Sequence, residues 1–500
     1  MIGKSIPELI FIRVAIASLR LLAPLSVLYV VASCYARSLL WSRWLALYAC
    51  AEAAFWLLVY LPRQTRLQEV RTSRARRRAS ADPIQAATHP PLPPREEREA
   101  LFERCFSIIK DSHAVSGWFM PRLSELKRED AEDWFLWAIF SSDRKDYREE
   151  WQDELDGYVQ KLETIIGRKL EPGRSPHVSS LKVTLDPVVS LHRPLLWYAI
   201  VSLMDTITAI AMRLLGFQHH DSTPWFNVFP PRPLTIFSRP SPVPHLPHWY
   251  RPHRSSSKPP ILFIHGLGIG LWPYLPFFRD LLRADPDVGI LALEILPISM
   301  RITDPLLSRS AMLSSISSIL ASHGLPRATV ASHSFGTVLT AHLLRAPAYA
   351  PLVAGALLID PIPFLLHLPS VAYNFVYRAP RDANEWLLWY FASRDPDIAR
   401  ALARHFFWSQ SVLFKEDLAE CVKAGRRVAV VLSGQDQIVD APEVWRYLTG
   451  EDEPTARWSQ PGGGLDVYYM KGLDHAMVFD TRERRKVLLS ALREIQGAST

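Results

Sequence analysis

A five-residue turn constrains this chain more than any other feature. Ser332-His333-Ser334-Phe335-Gly336 follows the run Arg327 to Ser332, which reads as a short buried strand. It opens a run from Phe335 to Leu344 that reads as a helix with small residues at its start. A strand, a sharp turn and a helix in direct succession lift the turn residue to the end of a sheet, with its side chain aimed at whatever binds there. A serine held this way is presented as a nucleophile, and the next backbone N–H, that of Phe335, is placed to stabilise an oxyanion. The usual pattern is Gly-x-Ser-x-Gly. Here Ser332 takes the first position, where a small residue is needed because strand and helix backbones converge. Taken alone, the pentapeptide is also an ordinary strand-to-helix turn, so its meaning depends on its surroundings.

Upstream, the apolar run Pro260 to Ile264 ends in His265-Gly266-Leu267-Gly268, about 70 residues before Ser334. A buried strand followed by a Gly-rich turn suits the second half of an oxyanion hole, with the N–H of Leu267 facing the same point as that of Phe335. Downstream, Arg427 to Ser433 reads as a buried strand ending in Gly434-Gln435-Asp436, and Asp466 to Met470 as another, followed by Gly472 and His475. An isolated Asp after a strand is commonly a turn residue or helix cap, and an isolated His near a chain end is commonly on the surface. Together they give the order Ser334, Asp436, His475, each at the C-terminal end of an expected strand, where open α/β sheets build their sites. The roles are complementary: His475 takes the Ser334 proton, and Asp436 orients the imidazole and stabilises its charged form. Asp360, ending the run Ala354 to Ile359, is the alternative acid, and Asp440 a third candidate. Asp436 is preferred because it directly follows a strand next to that of His475.

These four ordered motifs resemble the α/β-hydrolases of the serine esterase, lipase and thioesterase type, over roughly residues 225–495. The resemblance implies a mostly parallel central sheet with helices on both faces, a helical cap, and a Ser-His-Asp triad working through an acyl-enzyme. Relatives of this fold with an Asp at the elbow, such as epoxide hydrolases and haloalkane dehalogenases, are set aside by Ser334. Residues 361–425, inserted between two core strands and rich in Phe, Trp and Leu, resemble the cap and suggest an apolar acyl-chain or sterol-like pocket. No cofactor or metal is expected. His245, His248 and His253 form a loose cluster in a Pro-rich stretch, open to metal binding but read first as solvated linker histidines.

The formal charge of +7 is unevenly placed: residues 1–80 hold 12 Lys and Arg against 3 Glu and no Asp. Positive charge beside apolar segments points to a membrane surface, and no nucleic-acid-binding motif accompanies it. Residues 8–35 and 40–62 are each near the ~20 residues that span a bilayer. Trp41, Trp44, Trp56 and Tyr60 suit its interfaces, and Arg63, Arg66, Arg71, Arg74 and Arg76 to Arg78 form a basic flank. Arg13, Arg20, Arg43 and Glu52 argue against spanning. The reading is a two-segment anchor or hairpin. The apolar stretch 194–217 is a further candidate span, interrupted by Asp205; with Ser202, Thr206 and Arg213 it suggests a helix lying on a membrane or roofing the site.

The expected organisation is an anchor region at 1–78, a Pro-rich linker at 79–97, a helical module at 98–224 and the hydrolase at 225–495. Trp118, Trp134, Trp137 and Trp151 serve as core anchors of the module. Four dispersed cysteines and the lack of an Asn-x-Ser/Thr sequon fit a cytosolic catalytic domain on an intracellular membrane such as the endoplasmic reticulum or a lipid droplet. The expected partners are a membrane and a lipid or hydrophobic ester substrate. Two other readings use the same features: lipid acyl transfer, for which His475 and Asp480 supply a His-x4-Asp spacing, and lipid binding without catalysis.

Overall fold

The computed structural model describes residues 3–69, 90–109, 111–120 and 122–497. Arg71, Arg74, Arg76, Arg77 and Arg78 of the basic flank, the side chain of Arg66 and linker residues 79–89 lie outside the described residues. Arg63 is described, and it reaches back to pair with Asp397 of the cap at 3.0 Å.

Nine strands form the main sheet: β1 (Gln218–His220), β2 (His248–Arg251), β3 (Ile261–Ile264), β4 (Ile290–Leu293), β5 (Ala328–His333), β6 (Val353–Ile359), β7 (Val428–Ser433), β8 (Arg457–Ser459) and β9 (Leu465–Met470). Their spatial order is 8-9-7-6-5-3-4-2-1. Strands β3 to β7 and β9 run parallel, while β1 and β2 at one edge and β8 at the other are antiparallel to their neighbours. Every residue of β3, β4, β5, β6 and β7 is buried. That is why these strands read as continuous apolar runs: a parallel sheet is covered by helices on both faces. From β3 the chain proceeds to β4 on one side and then returns to β5 on the other. The carboxyl ends of β3 and β5 therefore flank the point where strand order reverses, the natural crevice of such a sheet.

The core does not stop at residue 224. Phe102, Trp134, Trp137, Leu155 and Tyr158, from helices Arg95–Phe106, Arg128–Ala138 and Gln152–Ile166, belong to the same buried cluster as Val338, Ile362 and Leu402. His248, expected in a solvated linker, is fully buried in β2. Three helices, Ile6–Ala36, Arg43–Thr65 and Leu195–Leu214, are long and apolar enough to cross a membrane. Helix Leu195–Leu214 is two-faced: Val201, Thr208, Ala209 and Met212 are buried, while Leu203, Ile207, Ile210 and Leu214 are exposed.

Two charges that interrupt these apolar segments are fully partnered. Glu52 is 0% exposed. It accepts the N–H of Leu195 at 2.8 Å, at the start of helix Leu195–Leu214, and bonds His192 Nε2 at 2.9 Å, an anion where the helix dipole favours one. Asp205 pairs with Arg301 at 2.7 Å and with Arg232 at 3.2 Å, and Arg232 in turn holds Glu294 through 2.8 Å contacts. The network staples the helix to the domain. Removing one member of a buried ion cluster leaves an uncompensated charge, so Arg232→Met is expected to cost about 3–5 kcal/mol in chemical denaturation. A loss below about 1 kcal/mol would contradict a stapling role.

Candidate active site

Ser334 has φ +52°, in the left-handed region that side chains rarely adopt. The turn is held because Ser334 N–H donates to Ile359 O at 3.0 Å and Thr337 N–H to Ser334 O at 2.9 Å. Helix Gly336–Leu344 then starts hard against the end of β3: a Cβ on Gly336 would stand 2.3 Å from Ile264 O. Ser332, in place of the usual glycine, fits because its hydroxyl is buried and accepts from Thr340 Oγ1 of the same helix at 2.7 Å.

His475 Nε2 lies 2.9 Å from Ser334 Oγ, and its Nδ1 lies 2.7 Å from Asp436 Oδ2. The other oxygen of Asp436 accepts the N–H groups of Ile438 at 2.8 Å and Val439 at 3.0 Å, which aims the carboxylate. Asp360 makes no such contact with His475. Its oxygens accept Ser433 N–H at 2.9 Å and Ala476 N–H at 2.7 Å, tying β7 to the loop that carries His475. Asp440 caps helix Ala441–Thr449, accepting from Glu443 N–H at 3.2 Å. Asp480 is exposed and pairs with Arg484 at 3.7 Å, so the His-x4-Asp spacing supplies no partner for the His475 ring. Burial opposes a charged His475, but the charge and hydrogen bond of Asp436, with smaller help from Asp360 and Asp474, outweigh it and lift its pKa to about 9.

The loop after β3 faces the elbow. A Cβ on Gly266 would lie 2.7 Å from Ser334 Cβ, so the backbone there passes directly beside Ser334. His265 is a strut, not a donor to the crevice. It is fully buried, its Nδ1 lies 2.7 Å from Gly266 O, and its Nε2 accepts Ile295 N–H at 2.9 Å. Gly268 N–H is engaged by Ile298 O at 3.1 Å. The backbone N–H groups of Leu267 and Phe335 have no acceptor among the described residues. A feature not read from sequence locks this loop: Tyr274 Oη accepts Gly266 N–H at 3.1 Å and lies 2.8 Å from His333 Nδ1. The other His333 nitrogen faces Asp360 at 3.7 Å, and burial pushes this imidazole down to about 4, so it stays neutral.

A narrow cavity of ≈ 60 Å³ opens beside Ser334, walled by Leu267, Ile438 and cap residues Ile362, Leu366, Val371, Phe375, Leu402, Phe406 and Trp408. Trp118, Trp137 and Val183 complete it. These three come from the module whose tryptophans read from sequence only as core. No residue of helix Leu195–Leu214 lines the cavity, so that helix does not roof the site.

Residues 261–487 match the alpha/beta hydrolase family. The curated proteins contain no match to the chain. Among solved structures, the chain is similar to a membrane phospholipase A described as a bacterial virulence factor, at 16% identity over 60% of this chain and 94% of that one, TM-score 0.38. It is also similar to a putative lipase from Acinetobacter baumannii AYE, at 14% identity over 57% and 93%, TM-score 0.37, and to an esterase from Rhodococcus sp. ECU1013, at 18% over 49% and 96%, TM-score 0.35. The family match runs from the first residue of β3 into helix Arg482–Gly497. It takes in the elbow, the loop after β3 and the strand ends that carry Asp436 and His475: the chain has the α/β-hydrolase fold.

Proposed function

We propose that the protein is a membrane-associated serine hydrolase that cleaves carboxylic esters or thioesters with an apolar acyl group. What carries this reading is the continuous line Ser334 Oγ, His475, Asp436 at the floor of an apolar cavity. Ser334 Oγ attacks the carbonyl carbon while its proton passes to His475 Nε2. The negative charge that develops on the carbonyl oxygen is met by the N–H groups of Leu267 and Phe335. Collapse breaks the bond to the alcohol or thiol, which leaves with the proton from His475, and an acyl-Ser334 ester remains. Water, deprotonated by His475, then reverses the sequence and releases the acid. Asp436 stays ionised throughout and stabilises the imidazolium.

The cavity sets the acyl preference: among the described residues its lining carries no ionisable side chain, so it favours a hydrocarbon chain over a charged group. Membrane association is supported by the three long apolar helices and by exposed Phe226, Ile236 and Phe237 in turns beside helix Leu195–Leu214. On this reading, residues 1–78 are the anchor, 98–224 contribute one wall of the acyl pocket, and 361–425 are the cap of the domain at 225–495.

Ser334→Ala is expected to abolish fluorophosphonate labelling and to lower ester hydrolysis in detergent by ~10⁴-fold or more with the fold intact; retained turnover refutes the assignment. Activity should climb with pH as His475 loses its proton, with a midpoint above the ordinary imidazole value of 6.5 and toward about 9. Asp436→Asn removes the charge that raises it, so the midpoint should move to lower pH as the rate falls. An unmoved midpoint would exclude Asp436 as the acid. Leu402→Trp fills the cavity and should lower the ratio of long-chain to short-chain ester kcat/KM by about 10-fold or more; an unchanged ratio would place the acyl chain elsewhere.

A further inference from the structure

At the sheet edge formed by β1 and β2, three histidines meet. His220 and His248 are register partners across the antiparallel pair, so their side chains project from the same face. Their rings stack with centroids 5.0 Å apart and planes 8° from parallel. His323, the residue that ends helix Arg309–Ser322, closes on them from above the sheet: its Nε2 lies 2.9 Å from His248 Nε2. One ring nitrogen from each of the three lies within 4.8 Å of the other two.

We propose that His220, His248 and His323 form a zinc site that clamps the edge hairpin to helix Arg309–Ser322. A tetrahedral Zn²⁺ with bonds of roughly 2.0–2.1 Å holds its nitrogens about 3.3 Å apart, so movements of a few tenths of an ångström admit the ion between His248 and His323. Hydrogen bonding between those two rings alone leaves the third histidine without purpose. His220 Nδ1 lies 3.3 Å from Pro240 O, which fixes the ring proton there and leaves Nε2 as the lone-pair nitrogen. That Nε2 is buried with no hydrogen-bond partner. Tyr250 stacks on His323 at 3.9 Å and holds its plane. Three neutral imidazoles with no thiolate or carboxylate select Zn²⁺ over Mg²⁺ or Ca²⁺, and the fourth position of the tetrahedron is left to water or an outside ligand. Neither neighbour of His248 in the Pro-rich stretch takes part: His245 pairs with Asp304 at 3.3 Å, and His253 Nδ1 accepts Gly289 N–H at 3.0 Å.

The site is tested on the full chain in detergent, stripped with chelator, reloaded with Zn²⁺ or Co²⁺ and desalted. Wild type should retain about one metal per chain, show the visible absorption of tetrahedral Co²⁺ and melt at a higher temperature when loaded. His323→Gln and His220→Asn, each checked by circular dichroism, should bind on the order of 100-fold more weakly or worse and lose both the absorption and the thermal shift. Wild type that retains no metal overturns the proposal. So does equal retention in both variants, which would move the ion to another cluster such as Asp360, Asp436 and His475. Because metal content and the Co²⁺ spectrum are read without substrate, failure here is distinct from failure of the hydrolase reading.

Discussion

The whole site hangs on one close approach, that of the elbow helix to the end of β3. A Cβ on Gly336 would stand 2.3 Å from Ile264 O and 2.8 Å from His265 O, so only a glycine lets the two backbones reach this separation. That contact sets the Gly266–Gly268 turn beside Ser334. The strained φ of Ser334 is the local cost, offset by the hydrogen bonds that bracket it. Everything else in the crevice, from the Tyr274–His333 lock to the aim of His475, is arranged around that junction.

Two buried carboxylates near one imidazole divide the work by what their second oxygens do. Asp436 gives one oxygen to Ile438 and Val439 N–H and the other to His475, so it is rigid and still free to follow the ring's charge. Both oxygens of Asp360 accept backbone donors, Ser433 and Ala476, so it fixes where the His475 loop lies and acts on the ring only through its charge. The distinction is one of geometry: both residues end parallel strands one position apart in the sheet, and by chemistry alone either qualifies.

The elbow, the Gly-rich turn after β3 and the order Ser334, Asp436, His475 were legible because each is a local pattern, an apolar run closed by a turn. The fully buried strands β3, β5, β6 and β7 announce themselves for the same reason. What stayed hidden needs partners distant in the chain. Trp118 and Trp137 read as core anchors, and nothing local shows that they also wall the cavity beside Ser334. Glu52 and Asp205 count against apolar segments until His192, Arg232 and Arg301 are brought to them. His248 looks like a linker residue because its companions His220 and His323 lie 28 residues before it and 75 after it, and only strand pairing and a helix end unite them.

The first helix is packed into the rest of the structure. Ile12 and Ile16 pack on Ala383 and Tyr390 of the cap, and Gly3 O accepts Asn384 N–H at 3.2 Å. The Asn384 side chain donates to Asp474 at 2.5 Å, and Asp474 accepts the N–H of His475 at 2.7 Å. Two side chains thus separate the start of helix Ile6–Ala36 from His475. Asn384 is buried, so solvent does not replace these bonds when they break. Here the segment that faces outward and the loop that carries His475 belong to one packed and hydrogen-bonded frame.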